Sequence, residues 1–309
     1  MKRFLGVIPP MVTPLLGNKR LDSAGLERLI EHILGGGVHG VFILGTTGEA
    51  TNINYCLRHE LVRYVCRQVA GRVPVLVGIT DTTFDESVRL SWTATEAGAA
   101  AVVAAPPYYF TPGQPELIEY YTRLTVALPL PLFIYNMPIH TKVMIEPSTV
   151  LSLARIPKVA GLKDSSSNIV YFNTIRHLLC AHSDFSIMVG SEEALGEVVL
   201  MGGHGGICGG ANIFPKLYVS IYNAAVEGNV AHVRQLQEYV MAVGRSLYGV
   251  GQHVSSMIKG VKCALSLMDI CSDVMSLPFN CFRNEERTII HERLAALRDR
   301  LDGLSAISY

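Results

Sequence analysis

The sequence has no excess of either charge. Its 26 lysines and arginines offset 26 aspartates and glutamates, and charged residues fill only 17% of its 309 positions. Such a chain lacks the electrostatic footprint of a nucleic-acid or anionic-membrane binder, so neither partner is expected. Small molecules and further copies of the chain fit better. The seven cysteines, at 56, 66, 180, 208, 263, 271 and 281, are odd in number and never arranged as C-x-x-C. That argues against a disulfide framework or a structural zinc site and fits a reducing, cytoplasmic compartment. No apolar run reaches the roughly 18 residues of a membrane span. The opening Met1-Lys2-Arg3-Phe4-Leu5 imitates a signal peptide, but Pro9-Pro10 cuts the apolar stretch short. H-E-x-x-H, Walker and G-x-S-x-G sequences are also missing, which leaves metals, nucleotides and a serine nucleophile without support.

What is present is apolar material in a repeating order. Hydrophobic residues make up 49% of the chain, enough for a large core. Residues 39–44, 74–79, 101–105, 131–135, 157–162 and 185–189 are short runs, apolar nearly throughout and bounded by turn residues. They suit strands covered on both faces, as in a parallel sheet. Helical periodicity lies between them. The clearest stretch sets Leu26, Leu29, Ile30, Ile33 and Leu34 on one face, with Asp22 or Ser23 as N-cap and Gly35 just past the end. With 6–13 as a first strand and 204–208 as a last, about eight β-then-α units result, which predicts an α/β fold, a (β/α)8 TIM barrel. A doubly wound sheet has the same local grammar; the count of eight favours the barrel. Strand patterns stop near 214. Residues 1–225 are therefore assigned to the barrel and 226–309 to a C-terminal helical extension packed on it.

The glycine-rich 35–40 fits G-x-G-x-x-G by letter but follows a helix and precedes a strand, the reverse of a dinucleotide site, and reads as a turn. His204, inside a second glycine cluster at 202–210, has no suitably spaced metal-ligand partner and reads as structural. Three features fall at expected strand ends, where a barrel places chemistry. They are Gly45-Thr46-Thr47-Gly48-Glu49, Tyr135-Asn136-Met137-Pro138 and Gly161-Leu162-Lys163-Asp164-Ser165. Taken singly, they are a polar turn, an aromatic strand end and a solvent-facing lysine. Together they supply a carboxylate cradle, a phenolic proton shuttle and a desolvated amine suited to Schiff-base chemistry.

At these residues the sequence resembles the dihydrodipicolinate synthase / N-acetylneuraminate lyase family of pyruvate-dependent class I aldolases. The likeness runs from Gly6-Val7-Ile8-Pro9-Pro10 and Thr13-Pro14 through Pro107-Tyr108-Tyr109 to Gly205-Gly206-Ile207. The resemblance implies a lyase without metal or organic cofactor, its Schiff-base lysine being Lys163 and its proton shuttle Tyr135. Thr46 would relay protons and bind the pyruvyl carboxylate with Thr47 and Gly48. Tyr109 would reach into a neighbouring subunit's site within a homotetramer, a dimer of dimers. Ile207 would offer a carbonyl near the lysine and Gly190 would line the pocket.

Departures bear on the second substrate. His140 stands where the synthases carry a carboxylate-clamping arginine, and Tyr55 and Arg58 replace histidines common in the feedback site. Gly190-Ser191-Glu192-Glu193 resembles the lyase branch's G-x-D-E, and Ser165 matches a hydroxyl position there, so Glu192, Glu193, Ser165 and His140 are expected to bind a polyol chain. Acids in a helix's first turn have a plain dipolar explanation as well. The expected substrates are pyruvate and a sugar-derived aldehyde, the product being a 2-keto-3-deoxy acid. Aspartate semialdehyde, an imine-dependent dehydratase and a non-catalytic sensor are the alternatives.

Overall fold

A computed structural model describes residues 3–17 and 20–305, with side chains through 301. Eight strands form one sheet: β1 (Gly6–Val7), β2 (Val41–Ile43), β3 (Val75–Gly78), β4 (Ala101–Ala104), β5 (Leu132–Asn136), β6 (Val159–Asp164), β7 (Ser186–Val189) and β8 (Gly205–Gly206). All pairs are parallel, in the order β1-β8-β7-β6-β5-β4-β3-β2. The sheet closes on itself where His39 N donates to Val7 O and Phe42 N to Pro9 O, at 2.9 Å each. The predicted (β/α)8 barrel is the observed fold.

The regular parts of β1 and β8 are shorter than the sequence suggested. Pro9 and Pro10 have no N–H to give a ladder, and past Val7 the chain keeps only Ile8 N→Gly206 O and a bridge from Pro10 to Phe42. The helix Ser23–Gly35 starts as expected, with Asp22 accepting from Gly25 N at 3.0 Å, and ends one residue late on Gly36, which donates to Ile33 O. Gly37, at φ +79°, turns the chain toward β2. After β8 the described chain is helical, with Pro215–Val226, Val230–Val243, Ser256–Leu267 and Asn284–Ser305 and a π-helical turn at Gly244–Tyr248. Among the described residues no helix is long and apolar enough to cross a membrane.

Two apolar layers follow from the period of two along a strand. Val41 and Ile43, Val75 and Val77, and Leu132 and Ile134 face the helices. Their neighbours Phe42, Leu76, Phe133 and Tyr135 fill the barrel with Ile8, Met188 and Ile207. That same alternation turns Tyr135 and Lys163 inward at the top of adjacent strands, where the two are register partners. Gly161 leaves room for the Phe133 ring in the layer below them, because a side chain there would strike that ring and the Ser186 carbonyl.

Gly205 pairs with Gly6 at φ +145°, a conformation L side chains rarely adopt, and a methyl group on it would overlap the Gly6 carbonyl oxygen. Gly205→Ala is therefore expected to destabilise the barrel by about 2–4 kcal/mol. A urea titration monitored by far-UV circular dichroism would record the change as a lowered midpoint.

Candidate active site

A cavity of about 370 Å³ opens at the C-terminal ends of the strands. Phe42, Thr46 and Tyr135 line its inner part. Lys163 lies behind them and is buried, its Nζ 4.0 Å from the Tyr135 ring centroid and 5.0 Å from that of Phe42. Among the described residues no carboxylate pairs with this amine; the two ring faces are its electrostatic partners.

The Tyr135 phenol is the meeting point of the group. Its oxygen is 3.4 Å from Thr46 Oγ1. Burial pushes its pKa up, as the largest single influence. The neighbouring Lys163 charge and hydrogen bonding from Thr46, Ser165 and Lys163 together outweigh it, so the phenol ends below its ordinary range. A phenol so biased gives up and regains a proton more readily. Ser165 fits beside it because position 190 is glycine; a side chain there would overlap the Ser165 hydroxyl. Gly190 N donates to Asp164 O at 2.6 Å and Ile207 N to Val189 O at 2.8 Å, which fixes the tops of β6, β7 and β8 against each other.

The loop after β2 is held from three sides. Gly48 N donates to Gly45 O and Glu49 N to Thr46 O, which coils the two threonines into a tight turn. Thr13 Oγ1 donates to Gly48 O at 2.7 Å. Leu44 and Glu49 both sit at positive φ, 58° and 57°, a strained choice for these residues. The strain at Glu49 is compensated by a partner that was not recognised in the sequence. Its carboxylate takes a buried ion pair from Lys262, both side chains being fully shielded, and accepts 2.8 Å bonds from Ser276 N and Oγ. Lys262 also donates to Val274 O at 2.7 Å. Two lysines, Lys259 and Lys262, interrupting the apolar face of 256–267 were the available signal.

The other candidates divide. Thr47 and Gly48 are buried within the turn, and Thr46 opens to the cavity. His140 lines the mouth; burial, with the Lys142 ammonium, holds its imidazole below its ordinary range and hence neutral near pH 7. Tyr109 points away from its own cavity, 88% exposed at φ 83° and edge-on to Phe110, and Tyr108 takes the place at the wall. Arg58 is buried in an ion pair with Asp81 at 3.0 Å, beneath the Tyr55 ring. His204 is structural, as expected: its Nδ1 accepts from Ile187 N at 2.9 Å.

Glu192 and Glu193 are not at this cavity. The Glu192 carboxylate is buried and accepts from Tyr218 Oη at 2.6 Å, Tyr248 Oη at 2.5 Å and Gly210 N at 2.7 Å, so its oxygens are committed to the barrel's own architecture. Glu193 is exposed on a separate cavity between the loops after β6 and β7. The acidic pair begins a short 3₁₀ turn, Glu192–Ala194, in which Glu192 is buried and Glu193 exposed. The sequence reading also omitted Tyr108, Thr80, Val254, Ser255, Ile258 and Phe279, which line the outer cavity.

The profile of the Dihydrodipicolinate synthetase family matches residues 3–297. A 4-hydroxy-tetrahydrodipicolinate synthase of Phenylobacterium zucineum (strain HLK1) is 32% identical over 296 residues, 96% of this chain and 97% of that protein. A probable 2-dehydro-3-deoxy-D-pentonate aldolase of Escherichia coli (strain K12) is 33% identical over 261 residues, 84% of this chain and 86% of that one. The structure of dihydrodipicolinate synthase from the commensal bacterium Bacteroides thetaiotaomicron superposes with a TM-score of 0.94 at 53% identity, covering 96% of this chain and 99% of that chain.

Burial raises the Glu192 carboxyl above its ordinary range, against the opposing hydrogen bonds of both tyrosines and Gly210. A carboxyl raised in the folded state binds more protons there than in the unfolded chain, so it lowers stability as pH climbs from the ordinary carboxylate range through its raised value. Glu192→Gln does not titrate. Its stability deficit relative to the wild type should therefore shrink as the pH rises above 4.5, which paired urea titrations would measure.

Proposed function

Because the chain belongs to the dihydrodipicolinate synthetase family, and so among pyruvate-dependent lyases and synthases, we propose that it makes or breaks a carbon–carbon bond between pyruvate and an uncharged aldehyde through an imine on Lys163. The observation that carries this reading is the buried Lys163 amine against the Tyr135 ring, with Tyr135 Oη and Thr46 Oγ1 in contact beside it. Lys163 Nζ attacks the keto carbon of pyruvate. The resulting carbinolamine loses water as Tyr135, backed by Thr46, delivers the proton to the leaving oxygen. Removal of a methyl proton then gives an enamine that adds to the aldehyde carbon, and hydrolysis returns the free lysine. In the cleavage direction the protonated imine takes up the electron pair of the breaking bond. The lysine supplies the covalent chemistry, so no metal or organic cofactor takes part.

Thr46 and Thr47 form the pyruvyl carboxylate cradle, with their hydroxyls and amides as donors, and Gly48 closes the turn behind them. Ser165 supports the Tyr135 phenol, Gly190 makes room for it, and Ile207 borders the lysine from β8. For the acceptor, the neutral His140 and the lack of any lysine or arginine among the cavity-lining residues favour a sugar-derived hydroxyaldehyde over aspartate semialdehyde. The product is then a 2-keto-3-deoxy acid. We assign Tyr109 to the site of a neighbouring copy within a cytoplasmic homotetramer; its 88% exposure beside Phe110, itself 83% exposed, suits a face that another subunit covers.

Incubation with pyruvate followed by borohydride reduction should add one reduced pyruvyl group to Lys163, located by peptide mass spectrometry and missing from Lys163→Ala. Tyr135→Phe should slow trapping by about 10²-fold or more, the usual contribution of a positioned proton donor. A folded protein that gives no adduct, or an adduct on another lysine, would overturn the mechanism.

A further inference from the structure

One residue beyond the reactive pair, the tops of β5 and β6 are tied a second time. Tyr135 and Lys163 are register partners that face into the barrel, and the next rung pairs Asn136 with Asp164, whose side chains turn outward. Asn136 Nδ2 donates to Asp164 Oδ1 at 2.9 Å, and both residues are buried. Asn136 Oδ1 accepts from Ile145 N at 3.1 Å, and Ile145 O accepts from Tyr171 Oη at 2.7 Å, which ties the chain after β5 to the helix Ile169–Leu178. Asp164 Oδ1 also accepts from Ser166 N at 3.1 Å, and its Oδ2 from Ser166 Oγ at 3.0 Å. Among the described residues no lysine or arginine pairs with this carboxylate. Neutral donors alone hold it, and burial raises it above the ordinary carboxylate range against the hydrogen bonds of Asn136 and Ser166.

We infer that Asn136 and Asp164 are positioning residues: their cross-strand bond holds the Tyr135 phenol in place against the Lys163 amine. The inference rests on the imine reading above. Strand ends fray, and Tyr135 and Lys163 sit one residue from the last rung that joins their strands. A displacement of about 1 Å between reacting groups can slow a step by on the order of 10²-fold. The Asn136–Asp164 bond lies immediately past the reactive pair, where it opposes that displacement. As a mere joint between strands it would be a poor choice, because an apolar pair covers the same surface without desolvating a charge. What the carboxylate adds is direction. It can only accept, and the observed placement of β5, β6 and the turn at 164–166 brings it three donors. The threonine turn after β2 is bonded to Thr13 and Tyr135 and, among the described residues, to no member of this network. Pyruvate binding is therefore expected to be independent of the clamp, and the proton transfers on bound pyruvate to depend on it.

The test uses the full chain in deuterium oxide and follows loss of the pyruvate methyl signal by proton NMR, a turnover that passes through the enamine and needs no acceptor. Asp164→Ala should lower kcat for this exchange about tenfold or more and leave KM for pyruvate within about twofold. Asp164→Asn keeps an acceptor for Asn136 Nδ2 and Ser166 N and can donate to Ser166 Oγ, so its kcat should stay within about threefold of the wild type. A general loosening of the site would raise KM as kcat falls, and a role for the charge itself would make Asp164→Asn as slow as Asp164→Ala. Either result overturns the proposal, as does an unchanged kcat in Asp164→Ala. If far-UV circular dichroism shows Asp164→Ala to be unfolded, Ser166→Ala takes its place, since it removes one donor from a half-buried position. Its kcat should then fall about threefold at constant KM, and no fall would defeat the clamp. A wild-type protein that gives no trapped adduct on Lys163 is a separate result, which defeats the imine reading itself.

Discussion

The buried ion pair between Glu49 and Lys262 is the constraint on which the site depends. Both charges are fully shielded from water, and a charge in that position is tolerable only when paired and hydrogen-bonded. Ser276 and Val274 complete the set by serving the remaining carboxylate and ammonium positions. Glu49 ends the turn that carries Thr46 and Thr47, and Lys262 lies in a helix far along the chain. The pair thus joins the threonine turn, the proposed carboxylate cradle, to the C-terminal extension. Removing one partner would leave the other buried and uncompensated, at a cost of about 3–5 kcal/mol. The extension is accordingly part of the scaffold of the candidate site, and its helix Ser256–Leu267 both anchors the threonine turn and lines the outer cavity.

Inside the barrel, large and small residues are matched around the reactive amine. Phe133 fills the space that Gly161 leaves, and Ser165 fills the space that Gly190 leaves. The result is a lysine surrounded by ring faces and hydroxyls instead of carboxylates. Ring faces attract the ammonium form without fixing it as a salt bridge would. The same lysine charge, with the hydrogen bonds from Thr46, Ser165 and Lys163, draws the Tyr135 phenol below its ordinary range against the effect of burial.

The barrel and its inner site were legible in the sequence because both follow from short-range rules. Apolar runs broken by Thr46, Tyr135 and Lys163 mark strand ends, and the period of two decides which residues face inward. What escaped the sequence depends on long-range placement. Glu192 and Glu193 open a turn, and adjacency in sequence does not reveal that one is absorbed by Tyr218 and Tyr248, distant in the chain. Ser255, Ile258 and Phe279 have ordinary helix and loop surroundings in sequence, and they become cavity wall only when the extension folds back over the barrel. Lys262 was visible, with Lys259, as a charge on an otherwise apolar helix face, but its partner lies 213 residues away.

If the Glu49–Lys262 pair holds the threonine turn in register for pyruvate, breaking it should weaken pyruvate binding before it abolishes the chemistry of Lys163. Pyruvate titration of the borohydride-trapping yield in Lys262→Met would decide this. The half-saturating pyruvate concentration should rise about tenfold or more, equivalent to about 1.4 kcal/mol, while saturating pyruvate still labels Lys163. A folded Lys262→Met with unchanged half-saturation would contradict the account.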